Sequence, residues 1–499
     1  MTELDKIPSR NYTNVLDKHK IYKTTYIPND TYWGLGVEHE TYLETSNVKK
    51  VSKHDIQIHM NRERYSIDYY TSYKPGSLDS IWAFLPDYID VPELVNSHFF
   101  QNIDVYGEHK TTYEKVPQPN SRFSNLTTLE FLKQSSNISS KYFQNELNKS
   151  FMFDGDTIEF ITRKFYKSDV PSVLKELHEI EETFEKELQK QTVGLFQKRT
   201  LSIMKKNYAW SNYLTNPNNY TMFNNGTIHV NLTLPTKLDE HSTIVDKKLF
   251  IDQHRVLIRI LQWLSPLFVA KFGTGDPFSA YSSQFAKGSQ RIAVSRYIGL
   301  GTYDSETMPE GKILAIPKSQ LPQHSWYHSF YETTAYTDLP NVGLDINFNK
   351  HYAHGIEFRI FDAVSFQELE TILSYMPVLM DFSLSRPKFT DPRTNIFWNT
   401  LAKRCVLEGK ETQLTVIDTI YLYFIFGINI PVERPMYVTD ILTVLMNHLT
   451  EKYGDRFCCK HMLKNTQPIK QEKTASIHIS VPQVIQVSKK NSWFSWMCR

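Results

Sequence analysis

The stretch Gly355-Ile356-Glu357-Phe358-Arg359-Ile360 carries the reading of the whole chain. In a strand, successive side chains point to opposite faces. Glu357 and Arg359 therefore share one face, while Ile356, Phe358 and Ile360 share the other, which reads as core. Two segments far away in sequence have the same design. Gly36-Val37-Glu38-His39-Glu40 aims Glu38 and Glu40 one way, and Thr227-Ile228-His229-Val230-Asn231 does the same for His229 and Asn231. A sheet with carboxylates, an imidazole and a guanidinium on one side can hold divalent metal and a phosphate. That combination points to a phosphate-handling enzyme.

Working outward, Trp33 to Leu43 reads as the first strand and Thr157-Ile158-Glu159-Phe160-Ile161-Thr162 as another. A helix follows, with Val173, Leu177, Ile180, Phe184 and Leu188 spaced three and four apart and Pro171 in its first turn. The strand at 227–234 is expected to end at Pro235. A long apolar helix runs from about Ile251 to Phe268 and is closed by Gly273-Thr274-Gly275-Asp276-Pro277. After the strand 355–361, Ser365-Phe366-Gln367-Glu368 has the capping-box spacing that starts a helix. Residues 1–30 read as a polar lead-in, 31–385 as the catalytic domain with a loop-rich insertion at about 50–150, 386–463 as a helical extension and 464–499 as a polar tail. Strands separated by long excursions, with helices gathered between them, indicate an α+β fold.

Composition narrows the class of function. The chain has 499 residues, enough for a large core. Its net charge of +2 is too weak a field to argue for nucleic acid or an anionic membrane as partner. The first six residues, Met1-Thr2-Glu3-Leu4-Asp5-Lys6, lack the apolar run of a secretory signal. The apolar run at Ile420-Tyr421-Leu422-Tyr423-Phe424-Ile425-Phe426 is too short to span a bilayer. The cysteines at 405, 458, 459 and 498 form no disulfide pattern. A cytoplasmic protein with no transmembrane segment is the expectation, with a homo-oligomer left open. Cys458, Cys459 and His461 offer three zinc donors but lack a fourth.

Each polar residue also has a plainer reading. Glu38 and Glu40 could be the outward acids of an exposed strand, and His39, on the opposite face, a packed and hydrogen-bonded histidine. Glu159 lies between Ile158 and Phe160, where a carboxylate is expensive unless it faces water, is paired or binds metal. His229 could be a satisfied core histidine. Glu357 and Arg359 could be a same-face ion pair, although arginine is also suited to bidentate contact with phosphate or carboxylate. Arg291 and Arg296 fit the same anion-binding use or a plain surface. The segment around Gly273-Thr274-Gly275 is too short for a Walker loop and lacks its lysine, and no Rossmann fingerprint occurs.

The order of these groups is more telling than any one of them. Gly-x-Glu-x-Glu, a strand glutamate in Ile158-Glu159-Phe160-Ile161-Thr162, then His-x-Asn, then a Gly/Ser/Arg-rich segment, then His354-Gly355-Ile356-Glu357-Phe358-Arg359-Ile360-Phe361-Asp362 resembles the glutamate–cysteine ligase group. That group belongs to the carboxylate–amine ligase superfamily, with glutamine synthetase and the amidoligases. The resemblance covers roughly 33–385. It implies a curved, mainly antiparallel, glutamine synthetase-like sheet with helices on one side and, on the other, a concave face for ATP, two or three metal ions (Mg²⁺ or Mn²⁺) and a carboxylate substrate. It implies Glu38, Glu40, Glu159 and Glu357 as metal ligands, His229 as a metal or nucleotide ligand beside Asn231, and Arg359 with Arg291 and Arg296 as the phosphate-neutralising groups of catalysis. The partners it implies are small-molecule or peptide carboxylates and amines. Phosphagen-kinase-like phosphotransfer to a guanidine or amine on a similar sheet, and an inactive nucleotide- or metal-binding scaffold, are the alternatives.

Overall fold

The sheet is built from strands whose alternation is strict enough to give it one apolar and one polar face. The computed structural model describes residues 30–45, 49–52, 87–91, 151–154, 157–195, 201–204, 226–239, 244–280, 282–294, 299–306, 316–334, 341–348 and 355–463. All of these belong to a compact unit spanning 1–465. The expected polar tail and Arg296 lie outside the described residues, as does most of the 50–150 insertion. Within the insertion, Tyr88–Val91 pairs antiparallel with Lys49–Ser52.

Six strands make the main sheet: β1 (Thr31–Thr41), β2 (Phe151–Asp154), β3 (Thr157–Ile161), β4 (Thr227–Lys237), β5 (Ile346–Phe348) and β6 (Ile356–Asp362). Their order is β5-β6-β4-β1-β3-β2, and every neighbouring pair is antiparallel. Nine helices among the described residues complete the fold: α1 (Val170–Leu195), α2 (Lys247–Phe272), α3 (Gln290–Val294), α4 (Trp326–Thr333), α5 (Phe366–Leu384), α6 (Ile396–Glu408), α7 (Val416–Ile425), α8 (Val438–Tyr453) and α9 (Phe457–Met462). The class is α+β with a wholly antiparallel sheet.

Register shows why one face is dry. Val37 opposes Val230, Leu35 opposes Leu232, and Phe358 opposes Val230 from the other side. These residues, with Ile158, Phe160, Ile346 and Phe348, are buried. Helices α1 and α2 cover them. Phe184 of α1 meets Phe160 edge-on at 5.2 Å, and Phe268 of α2 lies 6.1 Å from Phe358. Ring pairs at such spacings add to the burial of apolar area that holds the layers together. His39 faces this side and bonds Glu181 of α1 at 2.6 Å, the packed role its position suggested. Helix α5 starts at the expected capping box, with the Ser365 side chain on the Glu368 amide and Glu368 on the Ser365 amide. Helix α6 locks onto α2 through the Trp398 indole N–H, which donates to the Gln262 carbonyl at 3.1 Å.

Two irregularities correct the sequence reading. β4 does not end at Pro235 but continues to Lys237. Pro235 falls where Tyr32/Thr236 and Gly34/Thr233 pairings shift register, so β4 carries one extra residue there and no amide of Pro235 is needed for the ladder. In β6 the pairing slips between Phe358 and Phe361. Strict alternation puts residue 361 with Glu357 and Arg359; the slip instead buries Phe361 opposite Ile228 and brings Asp362 opposite Thr227.

Candidate metal centre and anion site

The polar face collects what four strands and the short helix α3 contribute. Glu38 opposes His229, Gly36 opposes Asn231, Glu40 stands between Thr227 and Glu159, and Glu357 opposes Asn231. Side chains at paired positions share a face. Glu38, Glu40, Glu159, His229, Asn231, Glu357, Arg359 and Arg291 are thus brought together; Arg296 lies outside the described residues.

His229 is the hub, and only 1 % of it is exposed. Its Nδ1 lies 3.1 Å from Glu357 Oε1, 3.3 Å from Glu38 Oε2 and 3.8 Å from Glu40 Oε1. Its Nε2 lies 3.1 Å from an Arg291 guanidinium nitrogen. A guanidinium has donors alone, so Nε2 accepts here and a neutral ring carries its hydrogen on Nδ1; an ion held by His229 would take that one lone pair in place of the Arg291 contact. Asn231 Nδ2 donates to Glu38 Oε1 at 3.2 Å, and the Thr227 hydroxyl donates to Glu40 Oε2 at 3.1 Å. Arg359 donates to Glu357 Oε1 at 2.7 Å.

Charge on this face is unbalanced. The four buried glutamates outnumber the guanidinium groups of Arg291 and Arg359. Glu40 and Glu159 are directly opposed, a like-charge pairing that normally destabilises a sheet. Burial raises the Glu40 carboxyl, but His229, Arg291 and Arg359 outweigh it and hold it below the ordinary carboxylate range. Burial lowers Arg291 to about 10 against the pull of Glu40. Burial also works against Arg359, yet Glu357, Glu40 and Glu38 keep it above its usual value.

One donor atom each from Glu38, Glu159 and His229 falls within a 4.8 Å span. Opposite ligands of an octahedral Mg²⁺ stand about 4.2 Å apart, so the span suits a small divalent cation. The two carboxylates suit hard divalent ions and the imidazole suits first-row transition ions, so the donor set by itself selects a divalent cation and not one metal. Glu40 and Glu357 lie beside this triad, each already engaged by a neighbouring side chain.

Three supporting residues were not picked out as site residues from sequence. Thr227 anchors Glu40. Asp362, fully buried, accepts from the Arg291 amide and the Thr274 amide, each at 3.2 Å, and so fixes the start of α3 and the Gly273-Thr274-Gly275 turn against β6. Burial pushes its carboxyl up to about 6. Asn347, opposite Glu357 on β5, donates through Nδ2 to Glu357 Oε2. The alternation Ile346-Asn347-Phe348 was the available signal for it.

The three zinc donors at the C-terminal end, already short of a fourth, read as ordinary residues in the structure: among the described residues Cys458, Cys459 and His461 do not gather as a metal-holding group. Both thiols are buried, and burial together with Asp381 pushes them well above the ordinary thiol range, away from thiolate. Asp381 accepts the Cys458 and Cys459 amides at 2.9 and 2.8 Å, so it caps α9. His461 lies against Trp33 and bonds the Phe457 carbonyl at 2.7 Å.

No family model matches the chain. Among curated proteins it is similar to "Uncharacterized protein R704" of Acanthamoeba polyphaga mimivirus. The two are 33 % identical over 475 residues, which cover 92 % of this chain and 82 % of that protein.

Proposed function

We propose that this chain, which belongs to the family of that mimiviral protein, is an ATP- and divalent-metal-dependent carboxylate–amine ligase with a glutamine synthetase-like sheet. The observation that carries the reading is the meeting of a three-donor metal triad with the buried Arg291 and the partly buried Arg359 guanidinium groups on one sheet face. Glu38, Glu159 and His229 would hold the Mg²⁺ or Mn²⁺, which supplies charge neutralisation for the β- and γ-phosphates when bound. Arg359 keeps one buried Nε–H without a partner among the described residues, a donor for an anionic oxygen. Arg291 is fixed beside it by its Nε bond to the Arg359 carbonyl at 3.1 Å.

In this reading a substrate carboxylate oxygen attacks the γ-phosphorus. The bond to the bridging oxygen breaks, and ADP leaves with the electron pair. Arg359 and Arg291 offset the charge that builds on the transferring phosphoryl group. An amine then attacks the acyl carbon of the acyl phosphate, orthophosphate departs, and the amine proton passes to solvent. Acid and amine are a small-molecule or peptide pair.

The test is ADP and phosphate release by the purified protein with Mg-ATP and pooled carboxylates and amines, with products weighed by mass spectrometry. Release that needs both pools, gives a condensed product and falls at least 100-fold in Glu38→Gln and Arg359→Ala supports the ligase. ADP with a phosphorylated product and no condensation assigns a phosphotransferase instead. Metal-dependent ATP binding without turnover assigns a scaffold.

A further inference from the structure

Helix α7 is apolar on both of its sides. Leu422 and Tyr423 face inward and are buried, and Phe426, which ends the helix, packs on Phe382 and Phe389. The other side carries Ile417, Ile420, Tyr421 and Phe424, spaced three and four apart, so they form one stripe. Ile417 is 78 % exposed, Phe424 73 % and Ile420 48 %. The stripe continues onto the start of α6. There the Phe397 ring meets Tyr421 edge-on at 5.0 Å, Asn395 Nδ2 donates to the Tyr421 hydroxyl at 3.0 Å, and Ile396 between them is 66 % exposed. A helix that is apolar all round belongs in an interior, and a contiguous exposed patch of this kind marks a surface that another molecule covers.

The chemistry of the patch selects the occupant. Asp418 is the sole charged residue of α7, whereas helices that lie on anionic membranes are rich in Lys and Arg. The stripe is centred between Ile420 and Tyr421. Laid antiparallel on a copy of itself, it sets Ile417 against Phe424 and Ile420 against Tyr421, the self-complementarity that a two-fold interface requires. The charges at its ends match as well. Asp418 stands in the first turn, where the Thr415 hydroxyl donates to it at 2.7 Å. Arg386 stands at the other end, where its guanidinium donates to the Phe426 carbonyl at 3.4 Å, and it forms no ion pair among the described residues. An antiparallel pair brings each Asp418 toward the other copy's Arg386 and sets the positive end of one helix dipole beside the negative end of the other. A parallel pair would set like beside like.

A standard interface covers about 800 Å² per partner. Ten helical residues are about 15 Å long, so the stripe reaches the low end of that class only with Ile396 and Phe397 added. Association of micromolar strength follows. We propose that the α7 face is the two-fold interface of a homodimer, in which two copies of α7 pack antiparallel through Ile417, Ile420, Tyr421 and Phe424, with Asp418 of each copy against the partner's Arg386. The inference does not depend on the proposed catalytic function.

Sedimentation velocity of the full-length protein over about 1–100 µM is the test. The wild type should pass from monomer to dimer across this range. Ile420→Glu places two like charges near the axis and should stay monomeric throughout. Phe424→Gln, at a more exposed position, should weaken the dimer about tenfold or more, and decides in place of Ile420→Glu if that variant does not fold. Asp418→Arg and Arg386→Glu should each weaken it about tenfold, and combining them should recover most of that loss, which lowered helix stability alone would not do. Circular dichroism checks that each variant is folded. A wild type that is monomeric at every concentration overturns the proposal, and co-sedimentation of that monomer with phosphatidylcholine–phosphatidylserine vesicles would assign the face to lipid instead. A dimer that folded Ile420→Glu leaves intact overturns it too, as does a combined Asp418→Arg and Arg386→Glu variant no better than either alone.

Discussion

At Gly36 an added Cβ would come within 2.9 Å of the Phe165 ring and 3.2 Å of the Thr162 hydroxyl; at Gly34 it would come within 2.0 Å of that ring. Phe165 thus lies flat across the glycine end of the polar face, which accounts for the glycine in Gly-x-Glu-x-Glu. Gly36→Ala should destabilise the fold by roughly 1–3 kcal/mol and Gly34→Ala by more, as read from urea midpoints. Arg291 gives a second prediction. It is buried between His229 and the Arg359 carbonyl. Arg291→Ala removes one of the groups that offset the buried Glu40 charge, leaving His229, Arg359 and Thr227, and should cost up to about 3–5 kcal/mol. Adding Glu40→Gln should recover part of that loss, a non-additivity that a double-mutant cycle measures. The glutamates, His229, Asn231, Glu357 and Arg359 were legible because an i, i+2 spacing fixes a face before any partner strand is known. Asp362 was not assigned a role, because the slip in β6 moves it to the polar face against strict alternation. Thr227 escaped notice because its hydroxyl gains meaning only through the register that sets it opposite Glu40.

At the level of elements, the junction of β3 with β1 depends on one side chain. Thr162 follows the last residue of β3, and its amide donates to the Val37 carbonyl at 3.0 Å. Its hydroxyl in turn accepts the Val37 amide at 2.9 Å, taking over a ladder bond that the backbone no longer makes. Thr162→Val should strand that amide and cost roughly 1–3 kcal/mol, whereas Thr162→Ser should change unfolding little. Ser365→Ala should remove half of the α5 capping box and cost about 0.5–2 kcal/mol, again by denaturant unfolding. Helices were read well from sequence where a stripe is clear. Val173, Leu177, Ile180, Phe184 and Leu188 are all buried, but the helix that bears them runs on to Leu195 and α2 starts at Lys247, beyond the apolar stripes. Helix ends are set by caps such as the Asp246 side chain on the Leu249 amide, and a hydrophobic period does not report those. The 386–463 region read as helical; the described helices α6 to α9 share one hydrophobic core with the sheet layers. That sharing depends on contacts such as Trp398 with Gln262, which no local pattern announces.

For the molecule as a whole, pH is the sharpest lever. Asp345 and Asp362 are both pushed up to about 6 by burial, from an ordinary value of 3.8. Asp345 accepts the Gly301 amide at 2.7 Å and the Tyr303 amide at 3.3 Å, so it holds the 299–306 segment as Asp362 holds α3. A folded-state value above the unfolded one means that the native protein keeps a proton which the unfolded chain has lost. The stability from each group is therefore complete below about pH 4 and is lost as pH rises through about 6. The change is on the order of 3 kcal/mol per group across that window. Glu40, held low, works in the opposite sense at more acid pH. Asp345→Asn should flatten the dependence of the urea midpoint between pH 4 and 7 by its share, whatever its effect on the midpoint itself. The strand order has a consequence in time as well as in space. Residues 42–226 separate β1 from its partner β4. At about 5–20 residues per second, β1 leaves the ribosome roughly 10–40 s before β4 exists to pair with it. Through that interval the β4 side of a strand with an apolar face stays open to other chains, even after β3 has paired its other side, and charges are what discourage such pairing. Glu38 and Glu40 are therefore useful before there is any site at all: during synthesis they keep the waiting strand solitary.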